Sequence, residues 1–103
     1  MPAGGPFQPS ARLVAFASRA YGGAADAALA AVLAALPGLP LADRQDPERL
    51  AAAMLVFGQG DAARLQRGIS IAKRDWRDLL VAAGLAQGDW PEILERTLGP
   101  RDP

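Results

Sequence analysis

The sequence predicts an all-α fold, an orthogonal bundle of about five helices, and three observations indicate it. Apolar residues recur every three or four positions through most of the chain, which is typical of amphipathic helices and fits strict alternation poorly. Alanine, the strongest helix former, dominates the 50% of residues that are hydrophobic. Glycine and proline separate the periodic stretches at positions where helices end and begin.

The chain has 103 residues, which fits one domain. We expect residues 10–99 to form a single helical domain between an irregular Pro/Gly-rich tail, 1–9, and a frayed tail, 100–103. Because alanine buries little area, the three Phe, two Trp and one Tyr are expected to carry much of the core.

The first two helices are predicted over 11–21 and 24–36. Ser10 is a suitable N-cap for the first, and Gly22-Gly23 ends it. The second is apolar on one side and mostly alanine on the others, with Pro37 ending it. Such a helix is expected to be buried on several sides or covered by another copy of the protein.

A third helix is predicted over 47–57. Asp46 and Pro47 supply its cap and its first helical residue. Leu55 and Val56 make its end apolar nearly all round, which is expected of a helix near the centre of a bundle.

The fourth helix is predicted to be the longest, over 61–83, and we expect the bundle to be organised around it. Asp61 can cap its start, and Gly84 is placed to end it. Trp76, in the middle of its apolar stripe, is expected to anchor the core. The stripe consists of Leu65, Ile69, Ala72, Trp76, Leu79 and Ala83.

Two residues argue against a continuous helix. Gly68 costs about 1 kcal/mol in a helix interior relative to alanine. Asp75 could cap a separate helix if the chain broke near Ala72-Lys73. One helix is favoured because the stripe keeps its phase across both points.

This stretch resembles a segment found in small uncharacterised bacterial proteins. The resemblance rests on the Gly60-Asp61 start, the helical apolar stripe and the run Asp75-Trp76-Arg77-Asp78. It implies a bacterial protein in which this segment is a unit, and it implies no assigned activity.

Composition excludes several classes of function. Eleven basic and eleven acidic residues give zero formal charge, which argues against nucleic-acid binding and polybasic membrane attachment. With no cysteine and no histidine, a thiol nucleophile, a Ser-His-Asp triad and a Cys/His zinc site are excluded. No catalytic residue, metal ligand or cofactor is therefore assigned.

The expected location is the cytoplasm. The apolar run 24–36 is too short to span a bilayer, and the first residues lack the positive stretch and apolar core of a signal peptide. The lack of cysteine is compatible with a reducing compartment.

A second stripe on the long helix predicts an interaction surface. It consists of Gly68, Ile71, Arg74, Asp78 and Val81, in which Gly68 permits close approach and Arg74 can pair with Asp78 one turn later. Together with the alanine-rich second helix, it predicts a non-enzymatic protein-interaction module that self-associates or binds a protein partner.

An alternative is a small ligand-binding protein or enzyme. Asp75, Arg77 and Asp78 form a polar cluster, in which two carboxylates one turn apart could hold a divalent cation or share a proton. The structural interpretation of the same residues is helix solubility and ion pairing, which we favour.

A DNA-binding regulator is a further alternative. The segment 79–94 has the form of a helix, a turn at Gly84 and a second helix. That last helix begins with Asp89 as cap and Glu92 in capping-box spacing, and it also carries Glu95. Carboxylates at this end would face phosphates, which argues against DNA binding.

Overall fold

The computed structural model describes residues 8–39 and 46–100, which form α-helices and contain no strand. The predicted all-α bundle is confirmed. Most of the two predicted tails, 1–9 and 100–103, lies outside the described residues. Short 3₁₀ turns, Gly22–Ala24 and Leu36–Gly38, follow the first two helices. The helices are α1 (Ala11–Tyr21), α2 (Ala25–Ala35), α3 (Pro47–Gly58), α4 (Ala62–Arg74), α5 (Trp76–Ala83) and α6 (Trp90–Leu98).

Helix α3 lies at the centre of the bundle. Its residues 50–55 have no solvent-exposed surface, and α3 contacts all five other helices. Three consecutive alanines, 51–53, allow neighbouring helices to approach it closely. The central position expected of this helix is confirmed, whereas the expectation that the stretch 61–83 organises the bundle is wrong.

The prediction of one continuous helix over 61–83 is also wrong. Helix α4 ends at Arg74, and Asp75 has an extended backbone (φ −160°, ψ 106°). The Asp75 side chain accepts a hydrogen bond from the Arg77 N–H and so caps the start of α5. Apolar residues on both sides of the break, Ile69 and Leu79, are nevertheless buried. The stripe keeps its phase because α4 and α5 each turn an apolar side towards α3, which does not require a continuous backbone.

Aliphatic side chains fill the core, and most aromatic ones lie at its edge. The largest fully buried side chains are Leu13, Val32, Leu50, Met54, Leu55, Leu79, Leu85 and Leu94. Phe16, Phe57, Trp76 and Trp90 are only partly buried. The expectation that aromatic residues carry much of the core is therefore wrong for these four, since helices lined with alanine leave little room for rings between them.

Tyr21 is the exception, and it ties α1 to the end of α3. Its hydroxyl donates a hydrogen bond of 2.7 Å to the Leu55 carbonyl, near the end of α3, where helical carbonyls lose their helical partners. A Cβ at Gly58 would lie on this hydroxyl, so the glycine leaves room for it. Burial raises the pKa of Tyr21.

A buried ion pair joins α1 to α3. Arg12 donates to both carboxylate oxygens of Glu48, at 2.9 Å from Nε and 2.7 Å from Nη2. Arg12 also donates to the Gly99 carbonyl at 3.2 Å, and the Ser10 hydroxyl donates to Glu48. The hydrogen bond to Glu48 raises the pKa of Arg12. This contact therefore fixes the starts of α1 and α3 and the end of α6 relative to one another.

We expect Arg12→Met to lower the free energy of unfolding by about 3 kcal/mol, because the guanidinium that neutralises a buried carboxylate is lost. Urea denaturation measures it. The double variant Arg12→Met/Glu48→Met should recover a large part of the loss, since no buried charge remains. A double variant as unstable as the sum of the two single ones would contradict this interpretation.

Gly68 lies at the crossing of α3 and α4. A Cβ at this position would lie 2.8 Å from Cδ1 of Phe57, which is closer than packed carbon atoms approach. The guanidinium carbon of Arg64 lies 4.6 Å from the centroid of the same ring. Gly68 therefore permits a close approach between α4 and Phe57 of the same molecule, and not between two molecules. Gly68 is buried, and its assignment to the interaction surface is corrected.

We expect Gly68→Ala to lower the free energy of unfolding by about 1 kcal/mol, because the clash with Phe57 outweighs the gain in helix propensity. Thermal and urea denaturation measure the change. Gly23→Ala is the matched control, because its Cβ would meet nothing within 4 Å. Adding Phe57→Leu should remove the penalty at Gly68, and a Gly68→Ala variant more stable than the wild type would exclude the close crossing.

Candidate interaction surface

The outward face of α4 carries an open groove. Its lining residues on α4 recur at the spacing of one helical turn, on the side opposite the buried Leu65 and Ile69. Phe57 of α3 closes one edge, and the volume is about 360 Å³. We call this the α4 groove, and its described lining is Phe57, Gln66, Arg67, Ser70, Ile71 and Arg74.

A second, narrower hollow of about 150 Å³ lies between α2 and α4. Alanines of α2 form most of one wall, and Ala62 and Leu65 of α4 form the other. Gln66 lines both this hollow and the α4 groove, so the two adjoin. Together they give a largely apolar surface along the outside of α2 and α4.

Two cations border the apolar part of the α4 groove. Arg67 and Arg74 are exposed, and neither forms an ion pair with any residue in 8–39 or 46–100. The described lining contains no carboxylate. The groove is therefore apolar at Phe57 and Ile71 and positively charged at its border.

The structure brings together only part of the predicted second stripe. Ile71 and Arg74 line the α4 groove, whereas Gly68 is buried beneath Phe57. Asp78 and Val81 are exposed on α5 and are not among the residues that line the groove. The stripe divides because α4 ends at Arg74, so Asp78 and Val81 belong to a separate helix and do not continue the outer face of α4.

Sequence reasoning missed Arg67 and Ser70. The signal was available, since Arg67, Ser70, Ile71 and Arg74 have the i, i+3, i+4, i+7 spacing of one helix face. Phe57 could not be found in this way, because it reaches the groove from another helix. The ion pair of Arg12 with Glu48 likewise joins residues that have no relation in sequence pattern.

The polar cluster of Asp75, Arg77 and Asp78 forms the start of α5. Asp75 Oδ1 accepts hydrogen bonds from the Arg77 N–H at 3.0 Å and from Arg77 Nε at 3.2 Å. The backbone hydrogen bond is the main cause that lowers the pKa of Asp75, followed by the one from the side chain. Asp78 is exposed in the first turn of α5. Across the described ranges, no group of three or more acidic side chains is placed to hold a metal ion.

The predicted pairing of Arg74 with Asp78 is not formed. The two residues lie on different helices, so the geometry of one helical turn does not apply to them. Similarly, Asp89 makes no side-chain capping hydrogen bond at the start of α6, so the predicted capping box is wrong.

We expect the Asp75 cap to be sensitive to acid. Because its pKa is lower in the folded state than in the unfolded state, its contribution is present above the ordinary pKa of aspartate and lost as pH falls through the lowered value, below about pH 4. Asp75→Ala should lower the melting temperature at neutral pH and should remove this part of the acid dependence. Asp75→Asn, which keeps an acceptor, should melt closer to the wild type. Identical melting curves for all three proteins at pH 7 would show that the cap contributes nothing.

A third hollow, of about 360 Å³, lies on the side of the molecule formed by α1, α6 and the start of α3. Its described lining is Arg12, Asp46, Trp90, Pro91 and Glu95. Arg12 is paired with Glu48, so its charge is neutralised. The remaining charged residues of the described lining are the carboxylates of Asp46 and Glu95, which make the hollow acidic. The guanidinium of Arg49 lies 4.9 Å from the Trp90 ring. We call this the α6 hollow.

Comparison of the chain with protein-family models, with curated proteins and with solved structures gives no match. The resemblance of the segment from Gly60 to Leu80 to small bacterial proteins stays a prediction. Among the described helices, none has both the length and the apolar character needed to cross a membrane.

Proposed function

We propose that this protein is a non-enzymatic interaction module that self-associates through the outer surface of α2 and α4. The observation that supports it is the adjoining pair of hollows that share Gln66. Five alanines contribute to their lining together with Leu65, Phe57 and Ile71, and the only charges of the described lining are Arg67 and Arg74. A largely apolar centre with arginine at the border is typical of a protein interface.

The association is weak and reversible in this proposal. Among the described residues, the only large apolar side chains that are exposed are Val14 and Val81, at 39% and 68%, and neither lines the surface. An obligate dimer would leave a larger apolar area open in the single chain.

The alternative, an enzyme or ligand-binding protein that uses Asp75, Arg77 and Asp78, gains no support from the geometry. Asp75 and Arg77 pair with each other at a helix start, and none of the three lines a described hollow. We further infer that the protein acts in the cytoplasm. The chain has no cysteine, so its fold depends on no disulfide and is compatible with a reducing compartment.

Analytical ultracentrifugation over a wide concentration range tests the proposal. We expect reversible self-association of the wild type, and Ile71→Ser should weaken it by about tenfold because an apolar side chain is lost from the lining of the groove. Val81→Ser is the matched control: it removes a more exposed apolar side chain outside the groove and should leave association unchanged. Circular dichroism melting checks that both variants are folded. A strict monomer at several hundred micromolar would overturn the proposal.

A further inference from the structure

The α4 groove and the α6 hollow are of opposite charge, and from this we propose that the protein associates head to tail. In this arrangement the α4 groove of one copy contacts the acidic edge of α6 on the next copy. The proposal rests on the self-association proposed above and adds which surface meets which. We define the acidic edge as Glu92 and Glu95 of α6 together with Asp46, the N-cap of α3, which lines the α6 hollow with Glu95 and Trp90.

The positive side of the contact is the border of the α4 groove. Four of the residues in α4 are basic, Arg64, Arg67, Lys73 and Arg74, and none of its residues is acidic. Arg64 is engaged with Phe57, whose carbonyl accepts from its Nε and whose ring it covers. Arg67 and Arg74 remain exposed at the groove without an ion pair to a described residue. They are therefore available to a carboxylate of another molecule.

The negative side is the acidic edge of α6. Glu92 and Glu95 are exposed, and neither forms an ion pair with a described residue. Arg96, the one cation of α6, is also exposed and follows Glu92 by one turn, so the negative excess of this edge comes from Glu95 and from Asp46 of the α6 hollow. The charge of Glu95 contributes to raising the pKa of Arg12, but the guanidinium of Arg12 is already hydrogen-bonded to Glu48. Arg49 lies over Trp90 and donates to the Leu85 carbonyl at 2.7 Å, so it is directed into the molecule.

The two surfaces lie on different parts of the bundle, so one molecule does not bring them together. Helix α4 packs against α2, α3 and α5, whereas α6 packs against α1 and α3. A contact between unlike surfaces is heterologous, and each added copy leaves one surface of either kind open. Association of this kind adds further copies beyond the dimer, unless the last copy binds the first and closes a ring.

A second copy fits the α4 groove better than nucleic acid does. The chain has zero formal charge, and Asp61, Asp75 and Asp78 lie close to the basic residues of α4 in sequence. Nucleic-acid affinity comes mainly from neutralising phosphates with positive charge, whereas a protein contact also uses the apolar Phe57 and Ile71 of the groove. The same chain carries the complementary carboxylates.

Two charge-reversed variants, each altered on one surface only, test the arrangement. We expect Arg67→Glu/Arg74→Glu and Glu92→Lys/Glu95→Lys each to self-associate at least about tenfold more weakly than the wild type in sedimentation equilibrium. Mixed together, they should form a 1:1 complex, because the first keeps the acidic edge of α6 and the second keeps the α4 groove. Affinity of the wild type should also fall as NaCl is raised from about 0.05 M to about 0.5 M, since exposed charges are screened.

Matched controls separate this contact from a general effect of charge. Lys73→Glu reverses a charge on α4 outside the groove, and Asp26→Lys reverses an exposed carboxylate that lines neither the α4 groove nor the hollow between α2 and α4. Both should associate like the wild type. Circular dichroism melting confirms folding, and Glu92→Gln/Glu95→Gln replaces the reversed variant if lysine beside Arg12 destabilises the fold.

The outcomes distinguish the failure of this inference from the failure of self-association. A wild type that stays monomeric removes the proposed function as a whole. If the wild type associates and Glu92→Lys/Glu95→Lys, measured by itself, associates equally well, the head-to-tail arrangement is wrong. The α4 surfaces of two copies would then contact each other in a symmetric dimer. Binding of labelled duplex DNA that is lost in Arg67→Glu/Arg74→Glu and competes with self-association would also overturn it.

Discussion

The burial of α3 on all sides is the constraint on which the rest of the structure depends. A helix in contact with five others can present no broad polar face, and its residues 50–55 are apolar and fully enclosed. Each neighbouring helix buries its own apolar side by packing against α3. Because three of the enclosed residues are alanines, the neighbours lie close to its backbone. At Gly68 the approach is so close that a Cβ would clash with the Phe57 side chain.

This close packing also explains the surface of the molecule. Phe16, Phe57, Trp76 and Trp90 find no room between the helices and lie at the edge of the core. Each has an arginine guanidinium within 6 Å of its ring, from Arg19, Arg64, Arg77 and Arg49 respectively. A guanidinium covers an aromatic face while it stays in contact with water, which reduces the exposed apolar area. The uncovered part of Phe57 becomes the wall of the α4 groove.

Besides the exposed pair of Asp75 and Arg77, zero net charge conceals two classes of charged residue in the described part of the chain. One class is used inside the molecule: Arg12 and Glu48 join α1, α3 and α6, and their cost of burial is offset by several hydrogen bonds. The other class is exposed and forms no ion pair within the described chain, and it includes Arg67 and Arg74 on α4 and Glu92 and Glu95 on α6. An uneven distribution of this kind favours oriented contact between copies, and it motivates the functional proposals.

By itself the sequence determined the helical class, the bounds of α1 and α3 and the central place of α3, because caps, glycine breaks and apolar periodicity act within a few residues. The sequence was also compatible with two interpretations of Asp75, as a residue inside one long helix or as the cap of a second helix. Only the tertiary structure decided between them. The apolar phase is the same for one helix or two, and in the folded molecule the chain is extended at Asp75 while α4 and α5 each contact α3. The tertiary structure likewise decided that Gly68 is buried and that Arg12 meets Glu48, since these contacts join distant residues that no local pattern relates.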